Sequence, residues 1–317
     1  MLTFASLNSK EETMRMKKEN DIRVEMFRVV DNAAPFVMVN YVDKHAKEHA
    51  GLMMLDSGST ENFLSHEMAE CIVMPALKEN KTEKILTITN EYIEVSRGGF
   101  SFTLGGNLYH DSFFINSNRI SEIVGDMSVI GILGNRFMQQ HSLVIDYSDF
   151  TFHTSNVNSK NLAISDCDFF FPMDIGLKYY GLPVLSIRQN RKDIVMLADT
   201  GASDNVIALK TIKENGFEHL HFKSKETISG ISGGMIELEE GNVKFRLLTL
   251  TENGTYEKLY HDKFYLSPHY IISYDEGGSK GKDDQLPPIE ALIGSPFMSK
   301  QGWVLDFGAK VIFRRNC

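Results

Sequence analysis

Two short stretches of this chain carry residue types that can activate a water molecule. Asp56-Ser57-Gly58-Ser59 and Asp199-Thr200-Gly201-Ala202 each set a carboxylate, a hydroxyl and a glycine in succession, directly after the apolar runs 52–55 and 195–198. Asp-Ser/Thr-Gly occurs nowhere else in the chain. A single copy makes an ordinary turn. Two copies, 143 positions apart, can do more. If the stretches belong to equivalent units packed about a pseudo-two-fold axis, residues near the axis meet their counterparts. Carboxyl groups about 3 Å apart cannot both ionise, so the pair shares one proton. The ionised member then takes a proton from water while the protonated member donates to a carbonyl oxygen. That is hydrolysis by general acid–base chemistry with no covalent intermediate.

Such a pair needs two matching frames, and the chain repeats itself at about half its length. Segments 36–42 and 51–55 flank a polar turn, as do 183–188 and 193–198, so a hairpin is expected before each aspartate. A short helical pattern follows each, at 64–71 and at 208–215, the latter stopped by Gly216. The closing segments align without a gap. Ile132-Leu133-Gly134-Asn135-Arg136-Phe137-Met138 matches Leu292-Ile293-Gly294-Ser295-Pro296-Phe297-Met298, and the Gly stands twelve residues before Asp146 in one and Asp306 in the other. Between these landmarks, β-branched and alternating runs at 85–95, 100–104, 236–250 and 263–266 read as strands and hairpins. The expected fold is all-β with a few short helices and two lobes, 1–155 and 156–317, related by a pseudo-two-fold axis. Residues 155–166 read as the linker, and 274–288, rich in Gly, Asp, Lys and Pro, as a mobile loop within the second copy.

With Asp56-Ser57-Gly58-Ser59, Asp199-Thr200-Gly201-Ala202, Ile132-Leu133-Gly134 and Leu292-Ile293-Gly294 in view, the chain resembles the aspartic peptidases. Each half is similar to a retropepsin-type unit and the whole to the two-lobed pepsin arrangement, over about 30–155 and 180–313. The resemblance implies an acid-protease barrel fold, Asp56 and Asp199 as the catalytic dyad, and an endopeptidase that holds an extended peptide or protein substrate in the cleft between lobes. It also implies a late apolar-apolar-Gly strand threading behind each catalytic loop. In this family a β-hairpin flap closes over substrate. Gly230, Ile231, Ser232 and Gly233, within 228–235, suit one, and 87–92 is its counterpart without the glycines. The competing function is a peptide-binding or regulatory module of the same fold without turnover. Two intact Asp-Ser/Thr-Gly loops favour the enzyme.

The hydroxyls of Ser57 and Thr200 are expected to bond across to the opposite copy, and Gly58 and Gly201 to allow a tight turn and close backbone approach. Ser59 can donate to its own carboxylate and Ala202 cannot, which predicts a less acidic Asp199 and activity extending toward neutral pH. Asp146 and Asp306 lack the Ser/Thr-Gly turn and read as structural or surface carboxylates. His45 and His49 are four apart in a segment that reads as a turn, without the order a zinc helix needs. No metal and no cofactor are expected.

Net charge is −9 with 24% charged residues, so there is no basic stripe for nucleic acid. No run of eighteen apolar residues exists to span a membrane. Three scattered cysteines, Cys71, Cys167 and Cys317, form no disulfide or zinc pattern. Free thiols and the absence of a visible leader point to the cytoplasm. Both copies lie in one chain, so a monomer with an internal pseudo-dimer is expected.

Overall fold

The computed structural model describes residues 21–29, 32–72, 83–86, 92–116, 123–124, 127–155, 167–173, 179, 181–217, 219–220, 225–229, 235–251, 254–272 and 286–315. In the first half, β1 (Arg23–Glu25) and β2 (Phe27–Val29) precede the hairpin of β3 (Asn32–Val42) and β4 (Glu48–Asp56). β5 (Phe63–Ser65) runs into α1 (His66–Cys71), whose N-terminus is capped by the Ser65 hydroxyl. A meander follows of β6 (Glu83–Leu86), β7 (Tyr92–Leu104) and β8 (Asn107–Asn116). Then come β9 (Ile123–Val124), β10 (Met127–Gly134), α2 (Asn135–Gln140), β11 (Leu143–Asp146) and β12 (Thr151–Thr154).

The second half repeats this order. It comprises β13 (Cys167–Pro172), the hairpin of β14 (Val184–Gln189) and β15 (Lys192–Asp199), β16 (Val206–Ala208), α3 (Leu209–Asn215) and β17 (His219–Leu220). It continues with β18 (Lys225–Ser229), β19 (Met235–Thr251), β20 (Gly254–Ser267), β21 (Ala291–Gly294), α4 (Ser295–Gln301), β22 (Val304–Asp306) and β23 (Val311–Arg315). The two expected hairpins, the helices at α1 and α3, and the stop at Gly216 in left-handed conformation are all present. The sheets have the same wiring. β10 runs parallel to β4 and antiparallel to β5, and β21 runs parallel to β15 and antiparallel to β16. The protein is thus all-β and two-lobed, with each late strand inserted between two earlier ones of its own lobe. The runs 52–55 and 195–198 are apolar because each strand lies mid-sheet, with Leu55 and Ala198 fully buried. No helix among the described residues is long and apolar enough to cross a membrane.

The lobes are not separate bodies. A six-stranded sheet, ordered β1-β12-β11-β22-β23-β13, takes three strands from each half. Its central seam pairs β11 with β22, Val144 opposite Asp306 and Asp146 opposite Val304. Trp303, Phe152 and Leu305 pack fully buried around it. Ser155, at the head of the expected linker, is fastened by its hydroxyl to Asp306 at 2.8 Å, and 156–166 lie outside the described residues, as do 274–285 of the expected loop.

This sheet decides between the structural and the surface reading of Asp146 and Asp306 in favour of the first. Both are fully buried and structural. Asp306 accepts from Ala309 N–H at 2.8 Å, and burial still pushes its carboxyl upward. Asp146 accepts from Ser148 N–H at 2.9 Å and faces His153 Nε2 at 3.9 Å and Arg315 at 3.5 Å. Burial works against its charge, but His153, Ser148 and Arg315 outweigh it and the net shift is downward. For His153 burial favours the neutral ring, yet Asp146 and the Thr154 carbonyl outweigh burial and the opposing Arg23, so its pKa rises. A histidine raised in the fold stabilises fully below about pH 6.5 and loses that contribution as pH climbs through the folded value. The drop in melting temperature between about pH 6 and pH 8 should therefore be smaller for His153→Gln than for wild type. Equal drops would contradict the pairing.

His45 sits in the turn after β3, but His49 lies on β4 rather than in a turn. There its ring meets Asp43 at 2.8 Å and stacks on Tyr41. Cys71 is an exposed free thiol, and Cys317 lies outside the described residues.

Candidate active site

Asp56 is the last residue of β4 and Asp199 the last of β15. Their strand partners across the parallel pairing are Gly134 and Gly294. A side chain at either glycine would collide with backbone of the loop after the aspartate. A Cβ at Gly134 would lie 2.2 Å from the Glu61 carbonyl oxygen, and one at Gly294 would lie 2.6 Å from that of Asp204. The apolar-apolar-Gly strand therefore supports the loop from behind by direct backbone contact. Two residues absent from the sequence reading tighten this support. Asn62 Oδ1 accepts from Gly134 N–H and Asn205 Oδ1 from Gly294 N–H, each at 2.9 Å. Both asparagines stand six residues after their aspartate, a matching offset that could have revealed them.

Ser57 and Thr200 join the loops across the pseudo-two-fold axis. Ser57 N–H donates to Thr200 Oγ1 and Thr200 N–H to Ser57 Oγ, both at 2.9 Å. Each hydroxyl then donates onward into the opposite lobe, Ser57 to the Ala198 carbonyl at 2.6 Å and Thr200 to the Leu55 carbonyl at 2.7 Å. Both side chains are fully buried. The residues that receive these bonds immediately precede Asp199 and Asp56, so one hydrogen-bond knot sets the position of both carboxylates.

Asp56 and Asp199 are brought together by this knot, Gly58 against the Asp199 carboxyl and Gly201 against that of Asp56, close enough for each carboxyl to act on the other. They are buried, 6% and 8% exposed. Asp56 Oδ1 accepts from Gly58 N–H at 2.9 Å and Ser59 N–H at 3.0 Å, and Asp199 Oδ1 from Gly201 N–H at 2.9 Å. Burial raises both carboxyls, and the charge of Asp56 lifts Asp199 well above the ordinary range. The physical cause is two like charges in a dry site, which favours holding one proton between them.

One expectation is corrected here. The Ser59 hydroxyl does not reach Asp56; it donates to the Glu61 carbonyl at 2.8 Å. It is the Ser59 backbone N–H that bonds the carboxylate, and the Ala202 backbone N–H likewise favours the charged form of Asp199. Backbone donors are indifferent to the side chain, so the Ser/Ala difference does not separate the two aspartates. The higher Asp199 arises from burial first and from the neighbouring Asp56 charge.

Gly58 and Gly201 are required by proximity. A Cβ at Gly58 would lie 2.4 Å from the Asp199 carboxyl carbon, and one at Gly201 would lie 2.5 Å from that of Asp56. Each glycine lets its loop close over the opposite carboxyl. Gly201→Ala must push Asp56 aside, and a displacement near 1 Å at reacting groups costs about 10²-fold in rate. The expected result is a loss of that order in kcat for the chemistry proposed below, measured by initial rates. A variant turning over at the wild-type rate would contradict the close approach.

Hairpins of equal build stand in both lobes. β6 pairs with β7 to Leu86 opposite Tyr92, and β18 pairs with β19 to Ser229 opposite Met235. The glycine-rich segment containing Gly230, Ile231, Ser232 and Gly233 falls between the latter two residues and lies outside the described residues, as does 87–91. Among the described residues no group of three His, Cys, Asp or Glu could hold a metal ion. The chain matches no protein-family model and no curated protein, so a function has to be argued from the site's own geometry.

Proposed function

We propose that the protein is an aspartic endopeptidase acting as a single chain, with Asp56 and Asp199 as its dyad. The observation that carries this reading is the close approach of two buried carboxyls supplied by equivalent, cross-bonded loops. A water held between them loses a proton to the ionised member. Its oxygen attacks the peptide carbonyl carbon while the other carboxyl donates its proton to the carbonyl oxygen. The resulting tetrahedral diol collapses when the nitrogen takes the proton abstracted from water and one diol hydroxyl returns a proton to the carboxylate that had donated to the carbonyl, as the C–N bond breaks. The dyad returns to its singly protonated state and no bond to the protein forms. The substrate is an extended polypeptide lying between the lobes.

The test is digestion of a peptide library in H₂¹⁸O over about pH 3 to 8. Direct water attack places one ¹⁸O in each new C-terminal carboxylate. Library peptides that bind but emerge intact at every pH would favour a binding module and overturn the reading.

A further inference from the structure

Among the positions where the two halves differ, two are in contact with each other. Tyr147 occupies the place of Phe307, and Ser295 the place of Asn135. These unmatched residues touch across the lobe boundary. Tyr147 OH lies 2.5 Å from Ser295 Oγ, and Ser295 Oγ donates to the Thr200 carbonyl oxygen at 2.5 Å. Serine has one hydroxyl proton, and Ser295 spends it on Thr200. The proton between Tyr147 and Ser295 must therefore come from the phenol. Burial holds that phenol far above its ordinary pKa, so it stays a donor at every working pH. The chain continues through one peptide group. The Thr200 carbonyl is bonded to the nitrogen of Gly201, whose N–H donates to Asp199 Oδ1 at 2.9 Å. Drawing electron density toward the carbonyl oxygen makes the N–H of the same peptide a stronger donor.

We propose that Tyr147 is a positioning residue that acts through Ser295 and the Thr200–Gly201 peptide to hold negative charge on Asp199 from the opposite lobe. The other loop lacks an equal link. Asn135 donates to the Gly181 carbonyl at 2.5 Å and reaches the Ser57 carbonyl only at 3.4 Å, and Phe307 has no hydroxyl to offer. The relay thus works on one aspartate of a pair whose loops are otherwise alike. It counters part of the upward push that burial and Asp56 exert on Asp199, which keeps a shared proton exchangeable between the two. This inference deepens the hydrolytic reading and rests on Asp199 belonging to the dyad.

The test is the carboxyl titration of the full-length protein with ¹³C-labelled aspartate, followed by NMR without substrate. A hydrogen bond to the charged form lowers a carboxyl pKa, so weakening it raises the midpoint. Tyr147→Phe is expected to move the dyad's midpoints up by about 0.3 pH, since relayed bonds strengthen one another by about 10–30%. Ser295→Ala should move them further, and the double variant no further than Ser295→Ala alone, because Tyr147 acts only through that hydroxyl. A Tyr147→Phe protein that melts lower but titrates as wild type would overturn the relay, as would additive shifts. The measurement needs no turnover. Shifted midpoints in a chain that cleaves nothing would keep the relay and sink the peptidase, and cleavage with unshifted midpoints would do the reverse.

Discussion

Asp199→Asn is expected to lower peptide hydrolysis by about 10⁴-fold, the upper range for losing a positioned acid–base group, while raising the melting temperature at neutral pH. The activity follows from roles that an amide cannot fill: Asn neither ionises to accept the proton of water nor yields one to the substrate carbonyl. The stability change has its own cause. The folded pKa of Asp199 lies well above the ordinary value because of burial and then of Asp56. A carboxyl raised in the fold is accommodated fully below its unfolded pKa of about 3.9 and costs stability as pH climbs through the folded value. The neutral amide removes that cost, so the gain should be absent near pH 3 and present near pH 7. Rates and melting curves on the same preparations separate the effects. A variant that keeps wild-type turnover would end the dyad assignment. One that loses activity but melts lower at pH 7 than at pH 3, relative to wild type, would end the account of the charge.

Thr200→Val should produce the largest loss of folding stability from one hydroxyl. The side chain has nearly the same shape, so packing is kept and only hydrogen bonding changes. Two buried backbone groups lose their partner: the Ser57 N–H that donated to Thr200 Oγ1 and the Leu55 carbonyl that received its proton. Each orphaned group costs about 1–3 kcal/mol, so the sum is about 2–6 kcal/mol. That is a large part of the roughly 5–15 kcal/mol that holds a domain folded. Both groups flank the Asp56 loop of the other lobe, so the loss should appear as lower unfolding midpoint and, for the proposed hydrolysis, lower rate together. Thr200→Ser keeps the hydroxyl and should stay within about 1 kcal/mol of wild type. Denaturant unfolding of the two variants decides the matter, since equal midpoints would mean that the knot contributes packing alone.

The fold was legible because its signals are local and repeated. An apolar run ending at Asp-Ser/Thr-Gly is a mid-sheet strand meeting a turn, and the gap-free agreement of 132–147 with 292–307 states the symmetry in one dimension. The dyad and the Ser57/Thr200 exchange follow from that symmetry, because equivalent residues near a two-fold axis must face each other. Ser59 misled because a hydroxyl beside a carboxylate satisfies either of two acceptors. The turn aims it at the Glu61 carbonyl and leaves the carboxylate to backbone donors. Asn62 and Asn205 were passed over for the opposite reason: an asparagine in a loop is common, and nothing local says that a glycine N–H some 72 or 89 positions later will need it.

From the order of residues alone came the strands, the repeat, the pair of carboxylates and the glycines beside them, since period and spacing govern what a short segment can bury and where it must turn. Three matters were decided only in three dimensions. The lobes merge through one six-stranded sheet that carries Asp146 and Asp306 into the core, Gly58 and Gly201 are demanded by contact with the opposite carboxyl rather than by backbone conformation, and the near-symmetric dyad is reached from one side by a tyrosine of the other lobe. Each depends on which distant backbone groups become neighbours once water is excluded, and that is a property of packing between halves that no stretch of sequence contains.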